Sequence, residues 1–304
     1  MTGDTNRSFL GDLEVDEIAI SVLSRVREMI FGDHKSVFTG QGFDFSGLRE
    51  WQPGDRQVSV DWAHSTHTGF SPLIVRECVE ERSVDVWLVA DNSLSVRCGI
   101  GNETVGNIIA RTIATIGFSG VVFQDRIGLI AFDGKNYLIE APKGGKKQVH
   151  RIVDIYHEPV SSHLIPIRRQ ESIARIISGS LKRTSLVVVV SDFLFSEAEL
   201  FIKELTDIRS GHDLFLVMAD ASFPFEFNLN SGGWVEGVDA ETGQLKLLSG
   251  KEFQKLGERV RSYQKGLELF SEKQGIEVVN IGKDRDALTT ALADFFLLRR
   301  SRRR

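Results

Sequence analysis

Two apolar stretches in this chain end directly in oxygen-bearing side chains. The run VDVWLVADNSLS, residues 84–95, closes with Asp91, Ser93 and Ser95 in a D-x-S-x-S spacing, and SLVVVVSDF, residues 185–193, closes with Asp192. One carboxylate and two hydroxyls on a turn can present oxygens to one side, directly or through water. That donor set suits a hard dication such as Mg²⁺, Mn²⁺ or Ca²⁺ rather than a thiophilic metal. In an open α/β sheet, ligands collect beyond the carboxyl ends of the strands, where the strand order reverses. If the two strands are neighbours at that point, Asp91 and Asp192 flank one cleft and can share a cation. Taken singly, each Asp is better explained as a turn residue or a helix cap. Two such strand ends together favour the metal site.

The elements that must position these residues alternate in type. After residue 83, short apolar runs (VDVWLVA, RIGLIAF, SLVVVVS, DLFLVMA, IEVVNI) are separated by stretches of helical period near residues 105–118, 148–156, 171–181, 251–274 and 285–298. Such alternation predicts an α/β doubly wound, mostly parallel sheet covered by helices on both faces. The wholly apolar residues 186–190 read as a central strand. Asp133-Gly134 between two apolar runs reads as a hairpin that adds an antiparallel edge strand. A second hairpin is expected near residues 230–250, turning at Glu241-Thr242-Gly243.

Upstream, an amphipathic helix over residues 15–30 is followed by a stretch rich in Gly, Pro, Asp and aromatics, with the texture of small strands and tight turns. The expected division is therefore a helix and small β module over 1–80, the α/β domain over 81–298 and a basic tail over 299–304. Within the module, Arg49, Glu50, Asp55, Arg56, Asp61 and Trp62 form a candidate polar network that holds a small sheet. His64 and His67 are three apart without a partner at metal-ligand spacing, in a stretch that does not read as helical.

Composition narrows the function classes. The chain has 304 residues, 41% of them hydrophobic and 26% charged, which places it among ordinary folded proteins. No apolar run approaches the roughly 20 residues of a membrane span, and the first residues are too acidic for a secretion signal. With two cysteines and no CxxC, a disulfide framework is not expected, and a cytoplasmic location is. The net charge of −5 conceals a more acidic body, because the last six residues, RRSRRR, carry five arginines. Such a tail could touch nucleic acid, anionic lipid or an acidic protein, although runs of this kind are usually solvated. No specific nucleic-acid binding is expected, and membrane contact only through this tail. Neither a nucleotide-binding glycine loop nor a Gly-x-Ser-x-Gly elbow is present.

Asp91, Ser93, Ser95 and Asp192 resemble the metal-ion-dependent adhesion site of von Willebrand factor A domains. The upstream segment GQGFDFSGLREWQPGDRQVSVDWAHSTHTGFSPLIVRECVEER resembles the signature of the bacterial domain-of-unknown-function family 58, in its Asp-Phe, Arg-Glu-Trp, Pro-Gly-Asp and Asp-Trp elements. The resemblance runs from about residue 40 to the C-terminus and implies a von Willebrand factor A-like fold. It further implies a non-enzymatic binding module whose ion, Mg²⁺ (or Mn²⁺ or Ca²⁺), leaves one position open for an exposed Asp or Glu of a protein client. Relatives often work beside MoxR-type AAA+ ATPases, so the resemblance implies an adaptor in ATP-driven assembly or maturation of other proteins. One departure stands out: where the family shows Thr on a third loop, this chain has Glu171-Ser172. Glu171 is either a replacement ligand or the mark of a degenerate site. Two other classes remain open: a metal-dependent hydrolase using the same carboxylates, and a scaffold docking on an anionic surface through the Arg tail.

Overall fold

The structure is a computed structural model that describes residues 10–31, 43–53, 55, 57, 60–80, 83–157, 165–168, 171–226, 234–238 and 245–301. In chain order, helix α1 (Asp12–Phe31) is followed by strand β1 (Phe43–Glu50), the short helix α2 (Trp62–His67) and strand β2 (Ile74–Glu80). Next come β3 (Asp85–Asp91), β4 (Gly99–Ile100), β5 (Glu103–Thr104), α3 (Val105–Val122), β6 (Arg126–Phe132), β7 (Asn136–Gly144), α4 (Lys146–His157) and β8 (Ile165–Pro166). The remainder is α5 (Ile173–Ser180), β9 (Ser185–Ser191), α6 (Ala198–Arg209), β10 (Asp213–Ala219), β11 (Trp234–Val238), β12 (Leu245–Ser249), α7 (Gly250–Lys273), β13 (Glu277–Ile281) and α8 (Arg285–Ser301). The chain divides into two compact units: residues 1–32 with 84–304, and residues 33–83.

The larger unit is mixed α/β around a seven-stranded sheet of order β13-β10-β9-β3-β6-β7-β8. The five strands from β13 to β6 run parallel, and the β6–β7 hairpin reverses direction through Asp133-Gly134. Strand β8 extends that side by two residues, so β7 lies one strand in from the edge. From β3 the chain builds outward through β6, β7 and β8, then crosses back to lay β9 on the other flank of β3. The strand order therefore reverses between β3 and β9.

Both central strands are buried along their whole length, which is why neither shows polar alternation. The two-residue period of a strand sends their side chains to two separate cores. Val86, Leu88 and Ala90 point into a layer built with α1, α3, α4 and α8. Trp87, Val89, Val187 and Val189 point into a layer built with α5, α6 and α7. Helix α3 is the backbone of the first layer. By length and composition it could cross a membrane, and 83% of it is buried inside the protein. Its helical period was legible in the sequence over residues 105–118, although Asn107, Arg111 and several Thr and Ser residues interrupt the apolar run.

Helix α1 corrects the expected division of the chain. Its Val15, Ile18, Ala19 and Val22 join the core of the α/β unit rather than the small module. The contact is reinforced by the fully buried Arg111 of α3. Its Nε donates to Glu14 of α1 at 2.8 Å, while its two terminal nitrogens grip both carboxylate oxygens of Glu103 in β5. A planar guanidinium matched to a carboxylate in this forked way is among the stronger ion pairs.

In the small unit β1 and β2 pair antiparallel. Arg49 makes a bidentate pair with Asp55, 2.7 Å on each arm, and with the Gln52 N–H this holds the Asp55 carboxyl at about 2. Asp61 caps α2 by accepting the His64 N–H, and its second oxygen lies 3.1 Å from His64 Nδ1. His64 and His67 thus sit on a short helix, contrary to the sequence reading, because a buried Asp cap supplies the start signal. Trp62 is 58% exposed and takes no buried place in that network. Arg56 and the Glu241-Thr242-Gly243 turn lie outside the described residues, although β11 and β12 do pair as the expected hairpin. Of the basic tail, Arg299 and Arg300 continue α8, while Arg302–304 lie outside the described residues.

Replacing Arg111 with Met would strip two carboxylates of their shared buried partner. We expect a loss of about 3 kcal/mol of stability, the usual cost of breaking a buried pair from one side, checked by urea denaturation against wild type.

Candidate functional site

The reversal of strand order places the ends of β3 and β9 side by side. The parallel register runs from Asp85 opposite Ser185 to Ala90 opposite Val190, so Asp91 ends one strand where Ser191 ends the other. Asp192 follows immediately. Asp91 and Asp192 are both fully buried.

Each oxygen of Asp91 is engaged. Oδ1 accepts the Ser93 N–H at 2.8 Å, and Oδ2 accepts the Ser191 hydroxyl at 2.6 Å. Ser191 Oγ in turn accepts the Phe193 N–H at 2.7 Å. The Ser93 and Ser95 hydroxyls are 2.9 Å apart. Oδ1 of Asp192 accepts the Leu194 N–H at 2.9 Å, and its Oδ2 has no hydrogen-bond partner. A buried carboxylate oxygen without a partner is costly, and in folded proteins it generally marks a bound water, a proton or an ion.

Electrostatics agree. Burial, and then the neighbouring charge of Asp91, push the Asp192 carboxyl up to about 7, against the opposing pull of Leu194 N–H and the Ser95 hydroxyl. Burial also raises Asp91, with the charge of Asp133 adding to it, despite hydrogen bonds from Ser191 and Ser93. The same pair of charges reaches Tyr156 of α4, whose phenol is raised well above its usual range, first by its own burial. Cys98, on the loop after Ser95, is raised by desolvation and by the charge of Asp192.

Asp91, Ser93, Ser95 and Asp192 are thus brought together, and Glu171 is not. The Glu171 carboxylate turns back toward the Arg168 N–H, at 3.5 Å, while Ser172 caps α5 by accepting the Arg175 N–H. A Ser at that position satisfies the orphan donors of the helix start, leaving Glu171 just outside the helix. Among the described residues no group of three or more His, Cys, Asp or Glu side chains is arranged to hold a metal. A cation at this site would therefore rest on two carboxylates, the Ser93 and Ser95 hydroxyls and water. That all-oxygen set, with one buried oxygen unengaged, fits a hard dication.

Sequence reasoning missed three residues that shape the site. Ser191 was inside the quoted strand, next to Asp192, but passed as a strand residue. Tyr156 donates its hydroxyl to the Asp91 carbonyl at 2.8 Å, and Gln264 of α7 donates to the Asp192 carbonyl at 3.0 Å. The only signal for Gln264 was its place on the stripe that includes Leu267 and Ser271, the buried side of an otherwise charged helix.

The chain belongs to the family described as Protein of unknown function DUF58, whose profile matches residues 47–265. It is 23% identical over 249 residues to uncharacterised proteins of Mycobacterium tuberculosis and Mycobacterium bovis, covering 79% of this chain and 76% of each relative. Among solved structures it is similar to an aerotolerance-related membrane protein from Bacteroides fragilis, with 12% identity and a TM-score of 0.45, covering 71% of this chain and all of that one. A conserved hypothetical protein, BatB, from Bacteroides thetaiotaomicron gives 11% identity and a TM-score of 0.44, covering 72% of this chain and all of that one.

The raised carboxyls set a pH dependence. With folded-state values above the unfolded ones, the metal-free protein takes up protons on folding, so this stabilisation is complete below about pH 4 and is lost as pH rises through 7. In EDTA, the thermal midpoint of wild type should fall between pH 5 and pH 8. Asp192→Asn should flatten that fall and unfold at a higher temperature than wild type at pH 8.

Proposed function

We propose that this chain is a von Willebrand factor A-like protein-interaction module that binds a hard dication, Mg²⁺ by availability, at the paired ends of β3 and β9. The observation that carries this reading is the unpartnered Oδ2 of the buried Asp192, beside a second buried carboxylate and two hydroxyls. Two like charges in a water-poor place repel, and a cation between them reverses that repulsion. Asp91, Ser93, Ser95 and Asp192 would hold it. When bound, such an ion supplies an electrophilic position that accepts a carboxylate from outside.

What the chain itself does is keep that position incompletely neutralised. Ser93 and Ser95 contribute neutral oxygens, and Asp91 already shares its charge with the Ser191 hydroxyl and the Ser93 N–H. The residual positive charge suits an exposed Asp or Glu of a client protein. By the family resemblance, the companion we propose is a MoxR-type AAA+ ATPase, with the chain as a cytoplasmic adaptor in the assembly or maturation of other proteins. Asp91, Ser93, Ser95 and Asp192 form a donor set for holding a cation, so a binding role suits the set better than a catalytic one.

Calorimetric titration with MgCl₂ and MnCl₂ tests this reading. Wild type should bind one ion, Asp91→Ala and Asp192→Ala should each lose at least tenfold in affinity, and Glu171→Gln should match wild type. Equal affinity of wild type and Asp91→Ala would remove the proposed site.

A further inference from the structure

The D-x-S-x-S loop and Asp192 sit where the ladders of the sheet stop. Pairing between β3 and β9 ends at Ala90 opposite Val190, and Asp192 lies one residue past the end of β9. A backbone carbonyl at such a position has lost its strand partner and, being buried, needs another. For both aspartates that partner is a side chain delivered from a helix, and the two helices come from opposite faces of the sheet.

On one face, Tyr156 near the end of α4 donates its hydroxyl to the Asp91 carbonyl at 2.8 Å. The link is reciprocal, because the Asn92 side-chain amide donates to the Tyr156 carbonyl at 3.4 Å. Tyr156 is fully buried, in the core layer shared with α3. On the other face, Gln264 of α7 uses both ends of its amide. Nε2 donates to the Asp192 carbonyl at 3.0 Å and to the Ala219 carbonyl at 2.8 Å, while Oε1 accepts the Ala221 N–H at 3.3 Å. It thereby ties the end of β9 to the end of β10.

We infer that Tyr156 and Gln264 are positioning residues for the Asp91–Asp192 site, each fixing the main chain of one aspartate so that both carboxylates meet a single ligand. This rests on the cation-binding reading above. The physical reason is that a hard cation accepts little error in oxygen placement, and side-chain oxygens inherit the error of their own backbone. Hydrogen bonds behind the ligands set metal affinity in the same way, with typical losses of roughly 10–100-fold on their removal. Neither residue touches the ion, and neither contributes charge.

The test pairs Tyr156→Phe and Gln264→Met, which keep volume and remove the hydrogen bonds, with Arg111→Met as a variant destabilised at a buried ion pair that neither aspartate joins. Two readouts are taken on the full chain. In Mn²⁺ titration, both site variants should bind about tenfold more weakly than wild type, while Arg111→Met keeps wild-type affinity despite its lower stability. In amide hydrogen exchange of the metal-free protein, Tyr156→Phe should accelerate exchange over residues 91–95, and Gln264→Met over 192–194, with little change at the other strand end. Site variants that bind Mn²⁺ like wild type, or an Arg111→Met variant that loses affinity as much as they do, overturn the inference. Should wild type itself bind no Mn²⁺, the cation reading fails, and the exchange pattern alone decides. Local acceleration at the matching aspartate upholds the positioning role, and unchanged or uniformly raised exchange removes it.

Discussion

Two carboxylates share a buried space because two parallel strands that are a hundred residues apart in the chain became neighbours. That adjacency is a property of topology: β3 is laid first, the chain builds to one side, and β9 returns on the other. Crossover connections between parallel strands need helices, and helices on both faces bury the strands completely. Burial then deprives Asp91 and Asp192 of water just where they face each other. Like charges in that setting tolerate only a proton or a counterion, and everything else at the site follows from which of the two is present.

The parts of this arrangement that could be read from sequence are those with local causes. Residues 186–190 announce a central strand because five consecutive apolar side chains leave no face for water. Asp133-Gly134 announces a hairpin because Gly134 takes a positive φ of 84° that other residues avoid. Asp91 and Asp192 were legible as strand-terminal acids, although their meeting depends on strand order. Less local causes were harder to read. Glu171 was weighed as a ligand, or as the mark of a degenerate site, because the family shows Thr on that loop; in the structure its carboxylate faces the Arg168 N–H and Ser172 caps the helix. The pattern of α1 shows that one side of the helix is covered without saying by what. Tyr156 and Gln264 act on carbonyls 65 and 72 residues away, a distance at which no spacing rule applies.

Close packing gives these distant contacts their precision. Gly257 of α7 lies against Phe225, and a Cβ there would fall 2.7 Å from that ring's own Cβ. The absence of a side chain lets α7 approach the loop after β10 closely, and Gln264 is two turns further along the same helix. A helix set that near the sheet can deliver a short amide to carbonyls that a more distant helix would miss. Gly117 plays the equivalent part on the other layer, where α3 meets Val149 of α4, the helix that carries Tyr156.

Helix α1 and the sheet belong to one unit, yet residues 33–83 come between them in the chain. The smaller unit is therefore a guest spliced into the larger one and leashed at both its ends. Ribosomal synthesis completes the guest before most of its host exists, so α1 must wait, its apolar stripe uncovered, until α3 emerges to receive it. Any factor that shelters nascent chains would find a target on that first helix.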